Sequence, residues 1–177
     1  NRNETHNAMS VKLDIWNGCK LLLADLKTDG TIKHYAIFNN QYDKEAKDIL
    51  FEFPAVLLQL KSIIWDNAKL TDSTNKQKNG LIGTAIITLH IGFKKYVDET
   101  KSFEENDPII DMILEKFHAV VIGQYTTALI KIEERTDDDH DNVTVHQVDF
   151  QLQVQETISK NTIESAILTL DLSGTIT

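Results

Sequence analysis

The sequence predicts an α+β domain: a mainly antiparallel or mixed β-sheet with a long central hairpin, packed by two α-helices. Three observations carry this. Residues 51–65 (FEFPAVLLQLKSIIW) and 81–93 (LIGTAIITLHIGF) are long runs rich in β-branched and aromatic types, which fit a pleated, half-buried surface. A polar stretch that ends in Asn79-Gly80, a turn signal, joins them. Apolar residues recur at helical spacing over residues 10–26 and again after Asp107-Pro108. Helix, strand, long hairpin, helix, hairpin and tail follow one another, so two helices can cover a sheet as a layer.

In residues 10–26, Val11, Ile15, Cys19, Leu22 and Leu26 form one stripe, widened by Trp16 and Leu23. Ser10 is a suitable N-cap, Gly18 weakens the middle, and Asp29-Gly30 stops the helix. Residues 31–38 (TIKHYAIF) read as a short strand. Pro54 cannot donate to a ladder and marks a strand edge or bulge. Beyond it, residues 55–60 are apolar on both faces, and in the returning run Leu89, Ile91 and Phe93 share one parity. That strand is expected to run on through Lys94, Lys95, Tyr96 and Val97.

Residues 100–105 read as polar loop, with Asp107 as N-cap and Pro108 as first residue of the second helix. Ile109, Ile110, Ile113, Phe117, Val120 and Val121 give it one apolar face, and Gly123 is the expected stop. Residues 127–136 and 143–155 form the second hairpin. In its returning strand Val143 and Val145 are odd, whereas Val148, Phe150, Leu152 and Val154 are even, so the phase slips near His146-Gln147. A slip of one residue predicts either a β-bulge or a change of exposed face. Residues 1–9 are expected to be a flexible segment, 10–156 a single domain and 157–177 an arm. In that arm Ile163, Leu168, Leu170 and Leu172 could form a further strand or pair with a neighbouring subunit.

At 177 residues the chain suits one domain with a real core. Net charge is -9, with scattered lysines, which argues against a broad grip on phosphate backbones. The single cysteine excludes an internal disulfide, no run of about 18 apolar residues offers a membrane span, and no signal peptide is expected.

Signatures of an enzyme are thin. Seven scattered glycines write no phosphate loop, and no nucleophile elbow is present. Asp137, Asp138, Asp139, His140 and Asp141 could hold a hard divalent ion at a subunit contact, but they read more simply as a solvated hairpin tip. Glu133 and Glu134 are adjacent in a strand and point to opposite faces, so they cannot share a proton. Cys19 reads as a small buried hydrophobe, the histidines as packed or edge residues, and Trp16 and Trp65 as core or interface anchors. No catalytic residue and no cofactor is expected.

Three places resemble the tail terminator proteins of long-tailed bacteriophages, in the form common in phages and prophages of Bacteroidetes. These are FEFPAVLLQLKSIIW at 51–65, LHIGF at 89–93, and EKFHAVVIG at 115–123 followed by LIKIEERTDDDHDNVTVHQVDFQLQV at 129–154. The resemblance spans roughly residues 15–155. It implies a virion structural protein, assembled in the host cytoplasm, that forms an oligomeric ring, usually a hexamer, at the head-proximal end of the tail tube. Such a ring stops tube polymerisation and meets head-completion or neck proteins, while DNA only passes through its lumen. On this reading Asp66, Lys69, Lys76, Gln77 and Lys78 in the polar loop reach a tube or neck partner, and Ile163, Leu168, Leu170 and Leu172 pack on a neighbour. Another neck protein is the alternative, then a small-ligand or peptide module with Trp16, Trp65 and Tyr35 lining a cleft.

Overall fold

The computed structural model describes residues 10–43, 51–66, 70–71, 77–78, 80–95, 99–124, 126–137, 140 and 143–157. Its centre is a five-stranded mixed sheet with two helices, the α+β architecture that the periodicities predict. The elements are α1 (Val11–Thr28), β1 (His34–Ile37), β2 (Ala55–Asp66), β3 (Leu70–Thr71), β4 (Gln77–Lys78), β5 (Gly80–Lys94), α2 (Glu99–Phe117), β6 (Ile130–Asp137) and β7 (Val143–Thr157). The order across the sheet is β1-β2-β5-β7-β6; β1 runs parallel to β2, and every other pair is antiparallel. The long hairpin is therefore β2 and β5, with β5 as the central strand. Its polar tip is more regular than expected, because β3 and β4 pair as a small second sheet. Gly80 opens β5 opposite Thr157, and Asn79 lies outside the described residues.

Both helices pack on one face of the sheet. Ile15, Cys19 and Leu23 of α1 and Ile113 and Phe117 of α2 are fully buried against Val56, Ile87, Leu89, Phe150 and Leu152. The predicted stripe of α1 holds, with Leu23 deeper than Leu22. Ser10 opens the helix through its carbonyl, which accepts from Leu13 and Asp14 N–H, and makes no side-chain cap. At the other end Asp29 Oδ1 accepts from Thr31 N and Oγ1, and Gly30 takes the left-handed φ of 87°.

Gly18 is not merely a weak point in α1. A Cβ there would lie 1.7 Å from the backbone carbonyl oxygen of Ile122, so the helix and the 119–123 segment touch only because no side chain intervenes. Gly18→Ala would raise helix propensity by about 1 kcal/mol, yet overpacking against rigid backbone costs more. A net loss of about 2 kcal/mol is expected, read as a lower urea midpoint; a gain in stability would refute the contact.

The second helix departs from expectation at both ends. It begins at Glu99, with Pro108 inside it, so residues 100–105 are helical and Asp107 is not its cap. Lys and Glu are good helix formers, and proline here removes only one N–H, a local cost that the apolar face beyond it offsets. The helix stops at Phe117. Ala119 adopts φ 61°, and the chain turns into a backbone pairing of Ala119 N with Leu129 O and Leu129 N with Val120 O. Val120 is half-buried and Val121 exposed, and Gly123 lies beyond the stop.

The phase slip in β7 resolves as a change of face. Its register with β5 is unbroken from Lys94↔Val143 to Gly80↔Thr157, with no bulge near His146-Gln147. Val143 and Val145 pack on the helix-free face under Tyr42, Phe51 and Phe53, whereas Val148, Phe150, Leu152 and Val154 pack under the helices. Bulges occur instead at Lys61 in β2 and Ile132 in β6. The first explains why Leu60, Ile63 and Trp65 all reach the helix side despite their parities. β5 ends at Lys94; Tyr96 and Val97 lie outside the described residues.

Candidate assembly surface

The helix-free face has three zones, which follow one another along the strands. At one end an aromatic cap closes it. Tyr42 lies across Gly92, where a Cβ would meet its ring at 2.6 Å, and its hydroxyl sits 3.0 Å from Ala55 O and 3.2 Å from His90 O. Phe51 meets Tyr42 edge-on at 6.1 Å and stacks on His34 at 4.6 Å. Burial pushes the Tyr42 phenol well above its usual range.

The middle of the face is polar and buried. Asp149 is 1% exposed, yet ionised. Its Oδ1 accepts from Thr88 Oγ1 at 2.5 Å, and its Oδ2 accepts from Lys61 Nζ and Arg135 Nη1, both at 3.1 Å. Burial raises its pKa, but these three donors outweigh that and hold the carboxyl below the usual carboxylate range. Lys61 reaches the site from the β2 bulge, and Arg135 also meets Glu133 at 3.3 Å. Beside Asp149, His90 stacks on Phe38 with ring centroids 3.9 Å apart and planes 2° apart. Its Nε2 is 2.9 Å from Gln59 Oε1, within hydrogen-bonding distance. Burial, helped by Arg135 and Lys61 and opposed by Asp149 and Asp137, pushes the imidazole down to about 4. The network is saturated: among the described residues no buried side-chain polar atom lacks a hydrogen bond. The carboxylate and the neutral, stacked histidine thus have their polar atoms engaged within the sheet face.

The third zone is open. Ile64, Ile82 and Ile86 share one side of β2 and β5, set by the pairs Ile64↔Thr84, Asp66↔Ile82 and Ser62↔Ile86. Ile64 is 62% exposed and the other two are half-buried. Exposed Gln151, Gln153 and Gln155 of β7 run alongside, and Ile130 of the edge strand β6, opposite Gln151, is 49% exposed.

No protein-family model matches this chain, and a search of curated proteins finds no match either.

Of the residues singled out from the sequence, Asp66 is exposed at the end of β2, and Gln77 and Lys78 form β4. Lys69, Lys76, Ile163, Leu168, Leu170 and Leu172 lie outside the described residues, as do Asp138, Asp139 and Asp141. Asp137 accepts from Gln147 Nε2 at 3.1 Å and faces His140 at 3.6 Å, and among the described residues no group of three acidic, His or Cys side chains gathers as a metal site. Glu133 and Glu134 do point apart: Glu133 meets Arg135, whereas Glu134 meets Lys131 and His146. Those two partners hold the Glu134 carboxyl below its usual range, Lys131 most strongly. Cys19 is fully buried, its thiol pushed up to about 12. Trp65 lines a cavity of about 350 Å³ between the start of α1 and the β2 bulge, and Trp16 and Tyr35 are not in its wall. Among the described helices none is long and apolar enough to cross a membrane.

The Asp149 network was not foreseen. Its sequence signal is a polar residue at every second position of otherwise apolar strands: Gln59 and Lys61, Thr88 and His90, Gln147 and Asp149. Only pairing the strands reveals that these positions coincide.

Proposed function

We propose that this chain is a structural subunit of a phage tail: a tail terminator that forms a ring at the head-proximal end of the tube, stops its polymerisation and joins the tail to head or neck proteins. The observation that carries an assembly role is the apolar surface left open around a rigid sheet, with Ile37, Ile64, Ile130 and Ile132 each about half exposed or more. Ile37 lies on edge strand β1 and Ile130 and Ile132 on the opposite edge strand β6, so apolar side chains are open at both edges of the sheet. A head-to-tail ring contact joins two unlike patches of this kind. The terminator assignment itself draws on the likeness of the 51–65, 89–93 and 115–154 segments to that family. A net charge of -9 suits a ring that lets DNA pass without gripping it.

Light scattering across a concentration series, with and without a divalent cation, tests this. A species near six times the 20.1 kDa subunit, or a monomer shifting toward one, is the expected result. A monomer at every concentration would count against the ring.

A further inference from the structure

We infer that the open third of the helix-free face receives the apolar run at residues 163–172 of a neighbouring copy of this chain. This rests on the ring reading above and names the contact that would build it. The sheet face is finished at one end by the aromatic cap and in the middle by Lys61 and Arg135 lying over Asp149, whereas beyond them Ile64 is 62% exposed and Ile82 and Ile86 are half-buried. A second copy that covers them is what the ring reading requires.

The position at which the chain leaves the sheet selects the occupant. β7 ends at Thr157, paired with Gly80, two residues beyond the Ile82↔Gln155 pair, so residues 158–177 start at the open end of the face. Five residues, 158–162, span up to roughly 17 Å when extended, enough to carry the next segment off its own sheet and onto an adjoining one. Residues 163–172 (IESAILTLDL) then present Leu168, Leu170 and Leu172 at one parity, the spacing that lays a row of apolar side chains along a strand face. Leucines on one side and isoleucines on the other bury apolar surface from both. The glutamines at 151, 153 and 155 offer flexible amides to the backbone of the incoming segment. Because the donor segment and the acceptor face are different parts of the chain, each subunit gives one and takes one, and the contact propagates around a ring.

Two tagged variants, Ile64→Cys and Leu170→Cys, mixed and gently oxidised, provide the test. Cys19 is fully buried and stays silent. A disulfide between the two differently tagged chains is expected, and Ile64→Glu should raise the concentration needed for assembly at least about ten-fold. Since Ile64 is exposed, the melting temperature of that variant serves as the folding control. Removing residues 158–177 should abolish the ring. If the intact protein forms a ring that survives this truncation, the docking is wrong and the ring reading stands. A disulfide formed only within one chain, in a doubly substituted variant, overturns the exchange. A monomer at every concentration with no cross-chain disulfide overturns both.

Discussion

Replacing Asp149 with alanine is expected to lower folding stability by about 3 kcal/mol, measured as a shift of the urea unfolding midpoint at neutral pH. The size follows from what the carboxylate leaves behind. Thr88 is 1% exposed and its hydroxyl donates to Asp149 Oδ1, so the change strands a buried hydroxyl as well as opening a void. Lys61 and Arg135 lose less, because their side chains are 47% and 36% exposed and can return to water. Two controls follow. Lys61→Ala should cost under about 1 kcal/mol. Thr88→Val combined with Asp149→Leu should recover more than half of the loss, since removing both partners strands neither. If Lys61→Ala were as damaging as Asp149→Ala, the burial of the network would have been misassigned.

Acid should unfold the protein in two stages, and His90 sets the first. Its imidazole titrates near 4 when folded, against about 6.5 when unfolded, so between these values the unfolded chain binds the extra proton. Stability is therefore complete above pH 6.5 and falls as the pH drops toward 4, by about 3 kcal/mol in all. The Asp149 contribution is lost only below that window, because its folded pKa lies under the usual carboxylate value and its ionised form is the one that the network holds. Unfolding free energy measured from pH 7 to 4 should fall in the wild type. In His90→Phe, which keeps a ring against Phe38, that fall should be much shallower. An equally steep fall in both proteins would move the cause away from His90.

Much of the architecture could be read before any coordinates because local rules and tertiary packing agree there. The α1 stripe, the Asp29-Gly30 stop and the existence of the two hairpins each carry local signals that the packing does not oppose. Failures came where two rules competed. Asp107-Pro108 carries a strong start signal, but the residues before it also favour helix, and the apolar face beyond it holds the whole segment together. At His146-Gln147 the parity change has two physical meanings, and only the cap of Tyr42, Phe51 and Phe53 on the far face selects one. The Lys61 bulge is legible in the shift from Val56, Leu58 and Leu60 to Ile63 and Trp65, a change of parity within one apolar strand. The polar network is not, since His90 and Asp149 are brought together by pairing across the sheet.

The unbroken register between β5 and β7 also has a consequence for biosynthesis. β5 is the middle strand, yet its partner on one side is made only after α2 and β6, since Lys94 pairs with Val143 and Gly80 with Thr157. Until residues 143–157 leave the ribosome, one long side of β5 has its backbone donors and acceptors unpaired, next to Ile87, Leu89 and Ile91. At roughly 5–20 residues per second that interval lasts seconds, long enough for a nascent chain to meet another. Ribosome-bound chains halted before β7 should therefore be clients of holding chaperones, and chains released after it should not.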